Sequence, residues 1–328
     1  WVTSILRGII ISLVILILAP FVAGFYRIED SLFILQLIAL VPLIRGVINP
    51  SVAKFTKDLE FHKEFYYRTT IFFVETVASI TLVFIYHSPV SLALGLIFGA
   101  VFEVVLSFIM ASPLPRFEFE KARLFEVLGR GKWLTLTGIF NYLYHNGDDI
   151  IVGKLLGTAS LGLYEMAYKI STLPISEGSD VVGKVVFPVF VKVSDDLERL
   201  KKAYLKSVLL IAGIVIPMGA VFFVFPEQII LIVLGEQWLT AASVLKVLAV
   251  FGALRAVSIS VIYPIYALQK QEYVTHITLV SLIGMGITIV PFITIWGIVG
   301  AGYSVLFGTV LSLPVIVYYV LKLFRKTS

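Results

Sequence analysis

Apolar runs of about 20 residues recur along the whole chain, and an α-helix needs that length to cross roughly 30 Å of hydrocarbon. Of the 328 residues, 59% are hydrophobic and 14% are charged, whereas soluble domains carry about 25% charged residues. The chain therefore lacks the polar residues that would cover a water-exposed surface. We predict an all-α integral membrane protein.

Hydropathy and the positions of helix breakers predict ten transmembrane helices. They cover residues 4–25, 32–52, 69–87, 89–111, 132–155, 159–190, 203–225, 241–267, 273–295 and 298–322. The sixth is too long for one straight span, and we expect it to bend at Pro174 and to project beyond the bilayer. The run Gln228–Leu234 is too short to cross and is predicted to lie at the membrane surface.

Lys and Arg residues are concentrated on alternate connections between these spans. One set of connections, with the C-terminal tail, holds 18 of them and the other set holds 2. Short loops rich in Lys and Arg stay in the cytoplasm. We therefore predict a multi-pass membrane protein with both ends of the chain cytoplasmic. The net charge of +5 reflects this topology, and we expect no nucleic-acid partner.

Residues that usually catalyse reactions or bind metals are scarce. There is no cysteine, and the four histidines (His62, His87, His145 and His276) are too scattered for a metal site. We find no nucleophile paired with a base, so the chain is predicted not to be an enzyme and to need no metal or other cofactor. Because it starts at Trp1 directly before an apolar segment, we expect an internal fragment that lacks N-terminal helices.

Two segments 210 residues apart are similar. Leu35–Val47 reads LQLIALVPLIRGV and Leu245–Val257 reads LKVLAVFGALRAV, so Arg45 and Arg255 occupy the same place. A polar turn, predicted to be cytoplasmic, follows each copy. The similarity predicts an internal repeat in which spans 1–4 correspond to spans 7–10, an arrangement that is common in transporters.

Polar residues within the predicted spans are candidates for function, because each charge at the bilayer centre costs roughly 2.5–3.5 kcal/mol on insertion scales. We expect them to line an interior, where they pair with one another or are hydrated. Alternatively, four of them lie in the headgroup zone: Asp148, Asp149, Lys184 and Lys246. Glu165 and Lys169 are four residues apart and can neutralise each other.

Four stretches carry a resemblance to a known family. They are DDIIVGKLLGTASLGLYEMAYKISTLP from Asp148, VVFPVF at 185–190, RGVINPSVAKFTKDLEFHKEF at 45–65 and LGEQW at 234–238. With them, the chain resembles the polysaccharide-transporter (Wzx-like) branch of the multidrug/oligosaccharidyl-lipid/polysaccharide exporter superfamily.

The resemblance implies an inverted-V flippase fold, with two pseudo-symmetric helical lobes around a cavity that opens alternately to each side. Residues 1–116 would be the remainder of the N-terminal lobe (family helices 3–6), 117–131 a cytoplasmic linker and 132–328 the C-terminal lobe (family helices 7–12). The implied substrate is a polyprenyl-diphosphate-linked oligosaccharide, flipped outward for O-antigen, capsule or exopolysaccharide assembly. The implied location is a bacterial or archaeal cell membrane, and the implied partners are the bilayer and glycan polymerase or assembly proteins. We expect the transporter to be a monomer.

Two groups of residues are assigned to the implied cavity. The candidates for binding diphosphate and glycan are Arg45, Arg255, Asn141, Tyr142, Tyr144, His145, Lys169 and Lys184. The candidates for coupling transport to a proton or sodium gradient are Asp148, Asp149, Glu75, Glu103, Glu165, Glu177 and Asp180. The family's cavity is typically cationic, so the many acids leave open whether they pair with the bases or carry the coupling ion.

Three other functions stay open at this point. A cation-coupled drug antiporter of the same superfamily would use an acidic, apolar cavity, but the LGEQW and FPVF stretches point away from it. A peptidoglycan lipid-precursor flippase would differ mainly in its substrate. A membrane glycan polymerase or ligase would need a large outer loop with catalytic Arg or His, whereas the longest predicted outer connection has about 15 residues and no basic one.

Overall fold

The computed structural model describes residues 1–28, 31–117, 138, 142–143, 145–268 and 270–324. These residues are mostly helical and contain no strand, which confirms the predicted all-α class. The chain divides into two compact units, Trp1–Ile139 and Phe140–Ser328. Apart from its first residue, the linker predicted at 117–131 lies outside the described residues, so the predicted domain bounds stay a prediction.

Unit 1 contains three long helices and three short ones in its described part. They are α1 Val2–Tyr26, α2 Ser31–Ile38, α3 Leu40–Arg45, α4 Ala53–Lys57, α5 Phe61–Tyr86 and α6 Val90–Met110, with a 3-10 turn at Pro50–Val52. The helices α5 and α6 pack along each other, and α3 packs against both α1 and α6. This arrangement brings the end of α3 next to the middle of the α5–α6 pair.

The second predicted span, 32–52, is not one continuous helix. The backbone at Asn49 is extended, and the chain direction changes by 73° between Ser31–Arg45 and Pro50–Lys57. Pro50 explains the break, because the residue before a proline is pushed out of the helical conformation. The segment predicted as span 2 is therefore a bent pair of helical segments.

Asn49 is fully buried and fixes this break to the end of α6. Its backbone N–H donates to the Ser107 hydroxyl (3.0 Å), and its side-chain nitrogen donates to the carbonyl of Ala111 (2.9 Å). Its side-chain oxygen accepts from the backbone N–H of Ser51 (3.0 Å). A break in a membrane helix is tolerated where other protein groups satisfy the freed polar groups, as these do.

Unit 2 is arranged around one central helix. Its described elements are α7 (helical residues 145–156), α8 Thr158–Lys192, α9 Leu197–Val224, α10 Pro226–Val233, a 3-10 turn at Glu236–Ala241, α11 Ala242–Ala267 and α12 Gln271–Leu323. The central helix α11 packs against α8, α9 and α12. Its side chains Leu245 and Leu248 are fully buried and share a core with Val152 and Ile293.

The segment α12 combines the predicted ninth and tenth spans. Its backbone breaks at Gly297, where a φ of 59° and a ψ of −137° are accessible essentially to glycine alone. Gly300 then lies so close to Phe292 that a Cβ on it would come within 2.0 Å of the Phe292 carbonyl oxygen. The hydroxyls of Thr288 and Ser304 are 3.0 Å apart. The two halves of α12 therefore pack as an antiparallel hairpin with a very tight turn.

Among the described residues, six helices are long and apolar enough to cross a membrane, or seven if the bent pair around Asn49 is one broken span. Two of the ten predicted spans are merged in α12, and the predicted fifth span lies partly outside the described residues. The predicted sixth span coincides with α8, which carries six charged residues and stays helical through Pro174. The segment predicted at the membrane surface is the short helix α10.

Large apolar side chains face outward on several of these helices. Phe21 of α1, Phe84 of α5 and Ile232 of α10 are 71%, 74% and 82% exposed. Exposed apolar surface on this scale is unfavourable in water and is expected against lipid. The helices are therefore suited to a bilayer in surface chemistry as well as in length.

Candidate functional site

Unit 1 contains an ion-paired group that we call the Arg45 cluster: Arg45 at the end of α3, Glu75 on α5 and Glu103 on α6. The Nε atom of Arg45 is 2.8 Å from Oε2 of Glu103, and its Nη2 atom is 3.6 Å from Oε2 of Glu75. The Nε–H does not align with the carboxylate, so this contact is an ion pair rather than a hydrogen bond. One positive charge faces two carboxylates, and the cluster has a net charge of −1 when both are ionised.

Close packing of α5 and α6 places the two glutamates. Gly99 of α6 lies against Glu75, and a Cβ on this glycine would come within 2.8 Å of the glutamate side chain. Gly95, one turn earlier, packs in the same way on Ser79. Small residues four apart let membrane helices approach this closely. Next to Glu75 is an open groove of about 480 Å³ whose other lining residues are Thr76, Ser79, Ile80, Val83, Phe84 and Leu92.

In unit 2, the carboxylate of Asp148 on α7 is buried, with 4% of the residue exposed. Its Oδ2 atom accepts a hydrogen bond of 2.8 Å from the hydroxyl of Tyr164 on α8, which is fully buried. Burial of a carboxylate is costly unless it is hydrogen-bonded. This bond therefore stabilises Asp148 and ties α7 to α8.

A second group in unit 2, the Arg255 cluster, consists of Arg255 and Phe251 on α11, Tyr168 on α8 and His145 on α7. Arg255 donates from Nη1 to the Tyr168 hydroxyl (2.5 Å), and its Nη2 is 3.4 Å from Nδ1 of His145. Its guanidinium carbon is 5.8 Å from the centre of the Phe251 ring, within the range of a cation–π contact. The ring centres of Tyr168 and Tyr164 are 6.2 Å apart. The hydrogen bond between Tyr164 and Asp148 therefore lies next to this cluster.

Four further predicted residues lie on the same helices or just before α7. Glu165 and Lys169 form an ion pair of 2.8 Å, and both are about half exposed. This is the pairing expected from their spacing along a helix. Asp149 is partly buried beside Asp148, and Tyr142 is exposed.

Five of the predicted residues have no described side chain. Asn141 and Tyr144 lie outside the described residues. For Glu177, Asp180 and Lys184 the structure describes the helical backbone of α8 alone.

The sequence analysis missed three members of these groups: Tyr164, Tyr168 and Phe251. Tyr164 and Tyr168 are four residues apart on α8, and Phe251 precedes Arg255 by one turn on α11. That spacing places each pair on one helix face. However, 25 Phe and 15 Tyr residues make such pairs frequent in this chain, so spacing alone does not single them out.

The two clusters differ in the ligands that they suit. The Arg45 cluster has an excess of negative charge and suits a proton or another cation. In the Arg255 cluster, no carboxylate within the described residues lies within 4 Å of the guanidinium, whose five N–H donors can bind an anion. Within the described part of the chain, no group of three or more His, Asp or Glu residues could hold a metal ion.

Helices of membrane length with charged groups packed between them define a polytopic membrane protein. The chain belongs to the polysaccharide biosynthesis protein family, whose sequence model matches residues 1–243. This match confirms the resemblance to the polysaccharide-transporter branch that the sequence motifs indicate.

Relatives with assigned names support the same family. The chain is 25% identical over 272 residues to the teichuronic acid biosynthesis protein TuaB of Bacillus subtilis (strain 168), covering 77% of this chain and 53% of TuaB. It is 24% identical over 252 residues to the lipopolysaccharide biosynthesis protein WzxC of Escherichia coli (strain K12), covering 76% of this chain and 51% of WzxC. The matched region thus spans about half the length of these relatives.

The fold is shared with a solved flippase structure. The chain superimposes on lipid II flippase MurJ, in an inward closed conformation, with a TM-score of 0.70. The superposition covers 98% of this chain and 73% of MurJ at 12% sequence identity. At that identity the similarity establishes the fold alone.

Proposed function

We propose that this chain is part of a flippase that moves a polyprenyl-diphosphate-linked oligosaccharide outward across the cytoplasmic membrane. The observation that carries the proposal is the family match over residues 1–243. The names of TuaB and WzxC connect these relatives with cell-surface polysaccharides, and MurJ adds a flippase with the same fold. The flipped unit would serve the assembly of O-antigen, capsule or exopolysaccharide.

Such a flippase must carry a hydrophilic glycan and a diphosphate through hydrocarbon while the polyprenyl tail stays in lipid. A polar cavity that opens alternately to each side meets this requirement without covalent chemistry. The protein would therefore act as a transporter and not as an enzyme. In keeping with the distribution of Lys and Arg, the termini of the chain would be cytoplasmic.

Arg255 is our first candidate for binding the diphosphate. Its planar guanidinium can bind two phosphate oxygens at once. The hydroxyl of Tyr168 and the ring of Phe251 hold it in place, and His145 can add a further hydrogen bond. Tyr142 is exposed and can hydrogen-bond sugar hydroxyls.

Arg45 is the second candidate for the diphosphate, and its acids are candidates for coupling. Glu75 and Glu103 already neutralise Arg45. The diphosphate and these carboxylates would therefore compete for one guanidinium, and proton uptake by both acids would release Arg45 for the substrate. In unit 2, Asp148 and Asp149 are the corresponding candidates for a coupling proton or sodium ion.

A peptidoglycan-precursor flippase is the second candidate function. The observation that favours it is the fold shared with lipid II flippase MurJ. It differs from the first proposal in the glycan rather than in the mechanism.

The experiment uses the full-length protein in liposomes that contain a fluorescent polyprenyl-diphosphate-linked oligosaccharide or lipid II. Flipping is measured as the fraction of glycan that a membrane-impermeant glycosidase or lectin can reach. We expect transport of the oligosaccharide in preference to lipid II. For Arg255→Ala we expect flipping per folded molecule to fall about ten- to a hundredfold, from the loss of a charge-assisted hydrogen bond. Arg255→Lys should retain partial activity.

Arg68→Ala is a matched control, because Arg68 is exposed and is paired with Glu64 on its own helix. It should flip at the normal rate. If the protein transports neither the oligosaccharide nor lipid II, the proposed function is refuted. Normal flipping by Arg255→Ala would refute the role of Arg255 alone.

A further inference from the structure

A groove of about 420 Å³ between α8 and α9 shares no residue with either cluster described above. Its lining residues are Val186 and Val189 of α8 with Arg199, Lys202, Ala203, Lys206, Ser207 and Leu210 of α9. Three of these eight side chains are cationic and none is anionic. The groove therefore has the charge to attract an anion.

Polarity changes along the length of this groove. Arg199, Lys202 and Lys206 lie on one face of α9 over its first three turns, about 10 Å along the helix axis. Leu210 follows one turn deeper, where the apolar part of α9 begins. Val186 and Val189 form an apolar wall on α8. One part of the groove thus suits an anionic group and the adjoining part suits a hydrocarbon chain.

The positive charge of the groove comes mainly from its two lysines. Arg199 is paired with Asp196, whose carboxylate lies 3.1 Å from Nε and also caps the start of α9. Within the described residues, no carboxylate lies within 4 Å of the amino group of Lys202 or Lys206. Lys201 projects from the opposite side of α9 and does not line the groove.

We propose that this groove binds one anionic phospholipid of the cytoplasmic leaflet. Lys202 and Lys206 would hold the phosphate, and one acyl chain would lie along Val189 and Leu210. The basic first turns of α9 belong to the connection 191–206, one of the Lys- and Arg-rich connections predicted to be cytoplasmic. The cytoplasmic leaflet carries anionic lipids. The inference does not depend on the transported substrate.

The test measures lipid binding to the purified full-length protein by native mass spectrometry. Phosphatidylglycerol is titrated, with phosphatidylcholine as the zwitterionic comparison, and we expect one tightly retained phosphatidylglycerol. A Lys near an anionic lipid strengthens binding about fivefold, so Lys202→Gln with Lys206→Gln should weaken it about 30-fold. Lys201→Gln is the control. It removes a neighbouring positive charge that does not line the groove, and it should change lipid affinity less than twofold.

Two further arms identify the source of the bound phosphate. Replacing both groove lysines by Arg should preserve binding, which separates loss of charge from loss of folding. Inorganic phosphate at millimolar concentration should not displace the lipid, because it lacks the acyl chain. Equal weakening by Lys201→Gln, displacement by inorganic phosphate alone, or preferential binding of polyprenyl phosphate over phosphatidylglycerol would each overturn the proposal.

Discussion

Removing the positive charge of Arg45 should destabilise the protein more than removing either acid of its cluster. Arg45→Gln would leave Glu75 and Glu103 without a cation. Breaking a fully buried ion pair in this way costs about 3–5 kcal/mol, but Arg45 is 42% exposed, so we expect about 1–3 kcal/mol. Glu103→Gln removes the 2.8 Å contact and should cost about 1 kcal/mol, because Glu75 can still pair. Glu75→Gln removes the surplus charge and should be nearly neutral.

The assay is reversible unfolding of the full-length protein in mixed micelles, and the readout is the change in free energy of unfolding. Arg45→Gln combined with Glu103→Gln should recover part of the loss, because a single unpaired carboxylate then remains. Arg68→Gln is the control: its contact with Glu64 is also 2.8 Å, but Arg68 is exposed, so no measurable change is expected. A loss for Glu75→Gln as large as that for Arg45→Gln would refute this interpretation of the cluster.

Three other predictions concern topology, coupling and packing. Lys201→Cys and Glu236→Cys are made separately and treated with a membrane-impermeant thiol reagent. The reagent should label Glu236→Cys in intact cells and Lys201→Cys only after permeabilisation. The reverse pattern would contradict the predicted orientation. Asp148→Asn or Asp149→Asn should abolish flipping driven by a proton gradient, while protein abundance stays normal. If the double variant transports as well as the parent protein, neither residue takes part in coupling. Gly99→Ala would overpack the α5–α6 contact and should cost about 1–3 kcal/mol on unfolding, whereas an unchanged stability would show that the helices can separate.

Much of the helical architecture could be predicted from hydropathy, because lipid requires apolar side chains over the full length of a span. The break at Asn49 could not, since the groups that satisfy its amide lie on Ser107 and Ala111, about 60 residues further along the chain. Span counting also fails to show that the ninth and tenth spans join at Gly297 with almost no loop.

The candidate site was predicted in part. Charges inside apolar spans are rare enough to identify Arg45, Glu103 and Arg255 from the sequence. The partners of Arg255 could not be identified from the sequence. Tyr168, for example, is separated from it by 87 residues and is one of many aromatic residues in the chain. Apolar and aromatic side chains become partners of a charge only when the helices are assembled.

The contact between Gly99 and Glu75 has a consequence for how unit 1 responds to movement. The glutamate stem touches the α6 backbone, and its carboxylate, on α5, completes an ion pair with α3. Any sliding of α6 along α5 must therefore shift the carboxylate relative to the guanidinium. A displacement of one helix therefore changes the electric field around these charges.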